Sequence, residues 1–393
     1  MDVRLLTGDD LDEYFAVRVQ AFGMAGTPTD RAIWRAFIDA GAGPIFGAYD
    51  GPLLGALRVL PTGQHLAGRR VGMGGIAGVV VRPEARGRGV ARTLLTEALG
   101  WMREEGFAVS SLHPASTRVY RSGGWEIAGD AGLVAIPTRS LAAIRTDGGG
   151  VVDRLGPGDR AELESVYARW APSVHGTLDR AGAFWDMHAA WSAMDGTFTY
   201  GVRHDGVLTG YVKYEQQPRE GWGYAMRVED VVAPDARTAA ELWHVLGAHA
   251  MQVEQIEVPL ASLPELLLLL DEQDDVPVRA NRWMHRVVDV ERFMAERGFG
   301  PGDHTVTVTL TDPWPGGVGG TWSLDVHDGT GRATPATGVG AITADVGAFS
   351  ALTIGGFTAG DLVTAGRLAG SADACAALAA MFATPAPRIS DDF

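Results

Sequence analysis

The chain has 393 residues, of which 46% are hydrophobic and 21% are charged, a composition typical of folded globular domains. Its length predicts two or three domains. The formal net charge of −15 argues against nucleic acid as a partner and favours cationic ones. No segment has the pattern of a signal peptide or a membrane-spanning helix. We therefore expect a cytoplasmic protein, and export by a route without a signal peptide stays open.

Two helices and a hairpin are predicted at the start of the chain. Thr7 to Asp10 is typical of a helix N-cap with an acidic first turn, and the helix that follows carries apolar residues from Leu11 onwards. Residues 27–40 indicate a second helix. Between Pro44 and Leu60, two apolar runs flank Asp50-Gly51, a dipeptide typical of a tight hairpin turn.

Residues 78–91, GVVVRPEARGRGVA, predict a strand, a turn rich in glycine and arginine, and a helix that opens within Arg86 to Ala91. After Gly89, apolar residues recur at close to a 3.6-residue period. The first amides of a helix are unpaired, and the helix dipole adds positive potential there. This turn therefore predicts a site for a phosphate-bearing ligand. The alternative is an ordinary strand-to-helix turn with a solvated basic face.

The pattern of this turn narrows the choice of ligand. Arg92 stands where a dinucleotide fingerprint needs its third glycine, and no Gly-Lys-Ser/Thr of a P-loop is present. The turn resembles the acyl-CoA motif of the GNAT N-acetyltransferases, Gln/Arg-x-x-Gly-x-Gly/Ala, which Arg86, Gly89 and Ala91 fill. The resemblance implies that acetyl-CoA is the co-substrate and that backbone amides hold its pyrophosphate. The residues that it places at acetyl-CoA are Val79, Val80, Val81, Arg86, Gly87, Arg88, Gly89, Val90, Ala91, Arg92, Ala115 and Ser116.

Tyr120 is a candidate catalytic residue. The segment from Ala115 to Trp125 resembles the GNAT element in which a helix passes the CoA sulfur with a tyrosine nearby. A tyrosine with its ordinary pKa near 10 keeps its proton at neutral pH. Tyr120 could therefore donate that proton to the departing thiolate as a general acid. A tyrosine that merely packs at a helix edge is the alternative.

The middle of the chain repeats the first part. Residues 200–210 echo residues 46–55, and residues 231–237 echo residues 80–86, both at an offset of about 150 residues. Thr238-Ala239-Ala240 stand where the first copy has its glycine turn. Their Cβ atoms would block the approach of a phosphate to the backbone. We therefore predict a second GNAT-like domain that has lost acyl-CoA binding. Convergent hairpin and turn patterns are the alternative.

Histidines scattered through this second copy do not predict a metal site. His244 and His249 are five residues apart, which is about 140° around a helix axis, whereas the H-E-x-x-H motif needs a spacing of four. We therefore expect no metal. The five histidines are His175, His188, His204, His244 and His249.

The pattern of predicted helices and strands changes again from about Val287. A helix is predicted from Val290 to Arg297, and Thr305 to Leu310 alternates cleanly as a strand. Further strands and an alanine-rich helix follow, and a mostly antiparallel sheet with helices on one face fits this order. This part resembles the sterol carrier protein fold.

Together the three parts resemble the enhanced intracellular survival (Eis) acetyltransferase family over essentially the whole chain. The resemblance implies an α+β protein with two tandem GNAT-like domains, each a mixed sheet flanked by helices, followed by a sterol-carrier-protein-like domain. We expect a catalytic GNAT domain at 1–148, a degenerate GNAT-like domain without a cofactor site at 149–287, and the third domain at 288–393.

The Eis resemblance also implies that the C-terminal carboxylate, here on Phe393, reaches the first domain and acts as the base. On its own, the tail predicts a frayed end. A free carboxyl with a pKa of about 3.5 is a weak base towards an ammonium, so it needs a water relay or a dry site. The family further implies a hexamer and a wide acidic amine pocket, whose candidate wall residues are Asp30, Trp34 and Asp392.

We therefore predict an acetyl-CoA-dependent N-acetyltransferase that acts on a cationic amine such as an aminoglycoside, a polyamine or a lysine. Cys375, the single cysteine, falls in an alanine-rich helical pattern, which favours direct attack over an acyl-cysteine intermediate. Two alternatives stay open: a transferase that uses another acyl-CoA, and a carrier of a lipid or small ligand with vestigial GNAT domains.

Overall fold

A computed structural model describes residues 1–23, 27–182, 184–186, 196–272 and 277–393, apart from the side chains of residues 29 and 30. No helix in these ranges is long and apolar enough to cross a membrane. The helices with both ends described are α1 (Leu11–Phe22), α2 (Pro28–Asp39), α3 (Val90–Glu104), α4 (Thr117–Arg121), α5 (Thr138–Ala142), α6 (Arg160–Trp170), α7 (Ala236–Gly247), α8 (Leu263–Leu267), α9 (Val290–Glu296), α10 (Val346–Thr353), α11 (Ala359–Thr364) and α12 (Ala372–Met381).

The strands form two sheets. Numbered in chain order, the strands are β1 (Asp2–Leu5), β2 (Ile45–Tyr49), β3 (Leu53–Leu66), β4 (Arg69–Val81), β5 (Val109–Leu112), β6 (Glu126–Pro137), β7 (Val151–Leu155), β8 (Leu178–Asp179), β9 (Thr197–His204), β10 (Val207–Pro218), β11 (Tyr224–Val232), β12 (Gln255–Pro259), β13 (Val278–Val287), β14 (His304–Thr311), β15 (Gly320–His327), β16 (Thr330–Ala336), β17 (Ile342–Asp345) and β18 (Leu368–Gly370).

The first part of the chain folds as its local patterns predict. The second helix is α2, the hairpin is β2–β3, and the helix after Gly89 is α3. This helix begins at Val90, within the segment from Arg86 to Ala91 in which the sequence predicts it to open. Gly87 and Gly89 have φ values of +75° and +83°, which a right-handed helix does not accommodate. The apolar face of α3 is buried as its period predicts, through Val90, Leu94, Leu95, Ala98, Leu99 and Met102.

Strands β4 and β5 part from each other in the middle of the large sheet. They pair in parallel over four residues each, Met73–Ile76 with Val109–Leu112. Strand β5 ends at Leu112, while β4 continues to Val81. The opening between them at their carboxyl ends, here called the fork, is where open sheets of this kind place their ligands.

The large sheet runs through both copies of the repeat because a strand of each copy pairs with strands of the other. Strand β13 lies between β5 and β6, and its His285 pairs with Ser111 on one side and Glu126 on the other. Farther along, β6 pairs with β12, with Pro137 opposite Gln255. The first copy is therefore completed by a strand from residues 278–287.

Two buried histidines tie these segments together and make the stability depend on pH. Ser111 Oγ and His285 Nδ1 are 3.0 Å apart, and His175 Nδ1 accepts the Ala67 amide at 2.9 Å. Burial lowers the pKa of His285 to about 3 and that of His175 to about 4. Both histidines are therefore neutral in the folded chain at pH 5, where the unfolded chain binds their protons.

We expect the free energy of unfolding to fall as the pH drops from about 6.5 towards 4, because only the unfolded chain gains protons at these histidines. Each contributes a slope of up to about 1.4 kcal/mol per pH unit. Urea denaturation at several pH values measures this slope, and His175→Gln should make it shallower. An equal slope in that variant would contradict the assignment to His175.

The second copy starts its equivalent helix earlier than the first. Helix α7 begins at Ala236, and Asp235 caps it by accepting the Thr238 amide at 2.8 Å. Thr238-Ala239-Ala240 therefore lie inside the first turns of a regular helix. The extended glycine turn of the first copy is absent from this described segment, so the second copy has lost the backbone conformation as well as the glycines.

The third part of the chain forms the five-stranded sheet β16-β15-β14-β17-β18, whose one parallel pair is β14 with β17. Its core includes stacked and edge-on rings of Phe293, Phe349 and Phe382. All eight residues of α10 are buried, and its Ser350 Oγ accepts the Val287 amide of β13 at 2.9 Å. The third domain is thus docked on the strand that completes the first copy.

Candidate active site

A bulge in β4 shapes one wall of the fork. The pairing of β4 with β3 shifts register between Ala56 and Arg58, opposite the stretch from Ala77 to Val80. Gly78 has a φ of +56°, a conformation that favours glycine, and the Arg18 guanidinium lies 2.6 Å from where a Cβ would be. The bulge interrupts the regular pairing at the start of Val79 to Val81, next to the opening.

The turn after β4 has the geometry of an anion cradle. A short 3₁₀ turn and an extended Arg86 lead into Gly87 and Gly89, and α3 then begins. The turn is exposed, and a Cβ at either glycine would meet no atom within 4 Å. A 15-residue helix begins directly after this exposed turn, and the unpaired amides of a helix start are the groups that bind a phosphate.

The arginines around this turn are not equivalent. Arg82 is directed inwards, because its Nε donates to Leu53 O at 2.5 Å and its Nη2 to Glu13 at 3.0 Å. Arg88 forms an exposed ion pair with Asp50 at 2.7 Å. The Arg92 guanidinium lies 5.5 Å from the Trp314 ring centre. Arg86 makes no ion pair within the described residues, so its charge is available to a ligand.

Tyr120 lies beyond the end of β5, on the short helix α4. Its side chain is 7% exposed, its ring meets Trp125 edge-on at 6.4 Å, and its hydroxyl makes no hydrogen bond to a described residue. Burial raises its pKa to about 12. The phenol therefore holds its proton firmly and has that proton free to donate. Ala115 and Ser116 are exposed just before α4, which Ser116 precedes as the N-cap residue.

The C-terminal tail is docked rather than frayed, and it ends at the base of the fork. The Arg388 amide donates to His175 O at 2.8 Å, and Ile389 is buried. His113, directly after β5, has its Nε2 3.0 Å from Asp391 O. The Phe393 ring meets the His113 ring edge-on at 5.3 Å and covers Gly75, where a Cβ would lie 2.9 Å from Phe393 Cε2.

A buried ion cluster holds this tail. The Arg180 guanidinium, 2% exposed, pairs with Asp391 at 2.8 Å and also with Asp230. Tyr211 donates to Asp230 at 2.8 Å, and the Tyr167 ring lies 4.2 Å below the guanidinium carbon. Burial alone would lower the pKa of Arg180, but the two carboxylates raise it above its ordinary value. Arg180 is therefore a permanent cation that fixes the tail two residues from its end.

Replacing Arg180 with methionine is expected to release the tail. The substitution leaves Asp230 and Asp391 buried without their counter-charge, and breaking a buried pair in this way costs about 3–5 kcal/mol. Hydrogen exchange of residues 388–393 should become fast, and kcat should fall at least about tenfold. Arg160→Met, which breaks exposed pairs with Glu164 and Asp186, is the matched control. Slow tail exchange in the Arg180 variant would contradict this assignment.

The three residues that the sequence suggested for the amine pocket do not share one environment. Asp392 is exposed beside the docked end of the tail. The side chain of Asp30 lies outside the described residues. Trp34 is half-buried, and its ring lies 4.0 Å from the Arg18 guanidinium and 5.1 Å from that of Arg58. In this structure, the cations at the Trp34 ring therefore belong to the chain itself.

Sequence reasoning missed the groups that hold the tail. His113, Arg180 and Asp230 carry no motif, and Arg180 lies 211 residues from Asp391 in the chain. The adjacent acidic residues Asp391 and Asp392 could have indicated an ion pair, but only Asp392 was interpreted, as a wall residue of the amine pocket. A buried partner for one of the two carboxylates was not foreseeable from spacing.

Three of the histidines named from the sequence have ordinary partners. His204 Nε2 lies 2.8 Å from Glu241, His244 Nδ1 lies 3.2 Å from Ile144 O, and His249 Nδ1 lies 2.5 Å from the Tyr224 hydroxyl. His188 lies outside the described residues. Within the described ranges, no group of three or more histidine, cysteine, aspartate or glutamate residues could hold a metal ion.

Comparison with known families assigns each part of the chain. Residues 2–128 match a family described as an acetyltransferase (GNAT) domain, and residues 176–287 match a second family with that description. Residues 290–390 match a sterol carrier protein domain. The crystal structure of a GCN5-related N-acetyltransferase from Kribbella flavida is 30% identical in sequence, with a TM-score of 0.85 over 100% of this chain and 98% of that one.

The chain belongs to the GCN5-related N-acetyltransferases. This acetyltransferase is also similar to another of that name from Anabaena variabilis, at 26% identity and a TM-score of 0.90 over 100% of both chains. N-acetyltransferase Eis of Mycobacterium tuberculosis is 26% identical over 92% of this chain and 91% of that protein. The enzyme is therefore an N-acetyltransferase of the Eis type, and the predicted α+β fold with two GNAT domains and a sterol-carrier-like domain is confirmed.

GNAT domains use acetyl-CoA. In the first copy, the exposed turn from Gly87 to Arg92 combines two glycines of positive φ with the start of a helix, a geometry that suits a pyrophosphate. The second copy lacks the glycine turn, and the Asp235 carboxylate already caps α7 by accepting the Thr238 amide.

Proposed function

We propose that this acetyltransferase transfers the acetyl group to an amine of a cationic acceptor, such as an aminoglycoside, a polyamine or a lysine side chain. The observation that carries the proposal is the docking of the C-terminus at the fork, where Phe393 and the exposed Asp392 bring negative charge to the acceptor side. The net charge of −15 adds a long-range attraction for cations.

The amine attacks directly. Cys375 lies on α12 of the third domain, beside Gly370, away from the fork that binds the donor. Bound acetyl-CoA supplies the acetyl thioester. In the proposed arrangement, amides of Val79 to Val81 polarise the acetyl oxygen, because β4 pairs with β5 only as far as Ile76 and the bulge leaves Gly78 and Val79 without partners in β3.

Two residues at the first domain's site transfer protons, one as the acceptor and one as the donor. The carboxylate of Phe393 accepts a proton from the acceptor ammonium, directly or through a water molecule, in a site that the Phe393 ring shields from solvent. Tyr120 donates its proton to the sulfur as the thiolate leaves. The roles are complementary because one group is an anion at neutral pH and the other, with a pKa raised to about 12, stays neutral.

Replacing Tyr120 with phenylalanine is expected to lower kcat about tenfold without changing the Tm. A thiol has a pKa near 8.5, so its thiolate leaves readily and depends only partly on a general acid. The Tm holds because the hydroxyl makes no hydrogen bond to a described residue. Since Tyr120 stays protonated well above pH 10, the wild-type kcat should show no alkaline decline from this group. An unchanged kcat in the variant would remove Tyr120 from the mechanism.

Thiol release from acetyl-CoA, measured against aminoglycosides, polyamines and lysine peptides, tests the function. We expect turnover with at least one polycationic amine, and stronger salt dependence for more highly charged acceptors. Propionyl-CoA and longer donors in competition test the donor preference. Tight acetyl-CoA binding without turnover on any amine would contradict the proposed acceptor class. Light scattering of the same preparation tests the proposed hexamer.

A further inference from the structure

The second copy keeps a cleft at the position that the fork occupies in the first copy. Strands β11 and β12 pair in parallel through Met226–Arg227 and Ile256–Glu257 and then part. A cavity of about 370 Å³ lies beyond this point, lined by the turn into α7, by the segment after β12 and by the C-terminal tail. This volume is within the range of small-molecule sites in proteins.

The chemistry of the cleft disfavours a phosphate ligand. The carboxylate of Asp235, which lines the cavity, accepts the Thr238 amide at 2.8 Å and the Thr238 hydroxyl at 3.1 Å. A fixed negative charge therefore stands at the helix N-terminus, where the first copy leaves its amides free. An anionic ligand would be repelled at this point, so the cleft is not a weakened CoA site.

The remaining walls favour a cation with an apolar body. Trp170 and Trp243 line the cavity together with aliphatic side chains, and two carboxylates, Asp235 and Glu265, lie at its polar side. Glu265 is neutralised by an ion pair with Arg388 of the tail. Asp235 makes no ion pair with any described residue and is exposed. Indole rings and one carboxylate without a counter-cation are the groups that bind an organic ammonium.

We propose that this cleft is a second ligand site, which binds a small aromatic or alicyclic molecule that carries one cationic nitrogen. Two of its wall residues, Arg388 and Ser390, belong to the tail that brings Phe393 to the fork. Binding of the ligand and docking of the tail therefore stabilise each other, since linkage between two equilibria is reciprocal.

Benzyltrimethylammonium is a suitable probe because it has no N–H to acetylate. The full-length protein is labelled with 5-fluorotryptophan, and Trp170→Phe and Trp243→Phe assign the two fluorine resonances. We expect both resonances to shift saturably with the probe and not with 3-phenylpropionate, a compound of similar size and opposite charge. No shift at about 10 mM probe, or an equal response to the anion, would overturn the proposal.

Asp235→Asn tests the charge without removing the helix cap, because asparagine caps helices as well as aspartate. The affinity for the probe should fall about fivefold, the size expected for one partly exposed charge pair. An unchanged affinity would overturn the role of Asp235. Hydrogen exchange of residues 388–393 should slow at saturating probe, and unchanged exchange there would overturn the linkage to the tail.

Discussion

Replacing Gly89 with glutamate is expected to weaken acetyl-CoA binding at least about a hundredfold, with a parallel loss of kcat/KM. Gly89 has a φ of +83°, a conformation that costs a residue with a side chain about 1–2 kcal/mol. The new carboxylate would also lie at the start of α3, where it would occupy the anion site and repel the pyrophosphate. The fold should persist because a Cβ at this position meets no atom within 4 Å.

Gly100→Glu is the matched control for this variant. Gly100 is an exposed residue of the same helix, its added Cβ also meets nothing within 4 Å, and its φ is not in the positive range. The control adds the same charge about three turns away, so it should bind acetyl-CoA as the wild type does. Calorimetry with acetyl-CoA and a thermal melt compare the three proteins. Equal affinity in both variants would remove the turn from the cofactor site.

Features set by neighbouring residues were predictable from the sequence. The period of Val90, Leu94 and Leu95 specified the buried face of α3, and the two copies of the hairpin and strand pattern specified the repeat. The exact first residue of α3 was not predictable, because the positive φ values of Gly87 and Gly89 depend on how the turn returns to the sheet.

Features set by distant residues were not predictable in this way. The insertion of β13 between β5 and β6 brings residues 278–287 into the first copy, and no periodicity signals which sheet a strand joins. Likewise, Arg180 meets Asp391 across 211 residues. A short polar tail has too few apolar contacts to predict docking, and its order depends on one buried ion pair and on Ile389 and Phe393 as anchors.

Converting the C-terminal carboxylate of Phe393 to a primary amide is expected to lower kcat about a hundredfold or more, the usual loss when a positioned general base is removed. The amide keeps the ring that covers Gly75, so acetyl-CoA affinity and the Tm should stay near the wild-type values. Semisynthesis from an expressed thioester of the shortened chain and a synthetic tail peptide supplies both the amide and an acid of identical sequence as the control.

The amide separates chemistry from packing in a way that deletion of Phe393 does not, because deletion also uncovers Gly75 and moves the carboxylate to Asp392. The acidic limb of the pH profile adds a second criterion. A carboxylate base loses activity as it is protonated. The kcat of the protein with a free C-terminal carboxyl should therefore decline at low pH with the pKa of this carboxyl, while the protein with the C-terminal amide should not show this decline. If the amide turns over as fast as the acid, the terminal carboxylate is not the base, and the ion pair between Arg180 and Asp391 serves to hold Phe393 as a wall of the acceptor site.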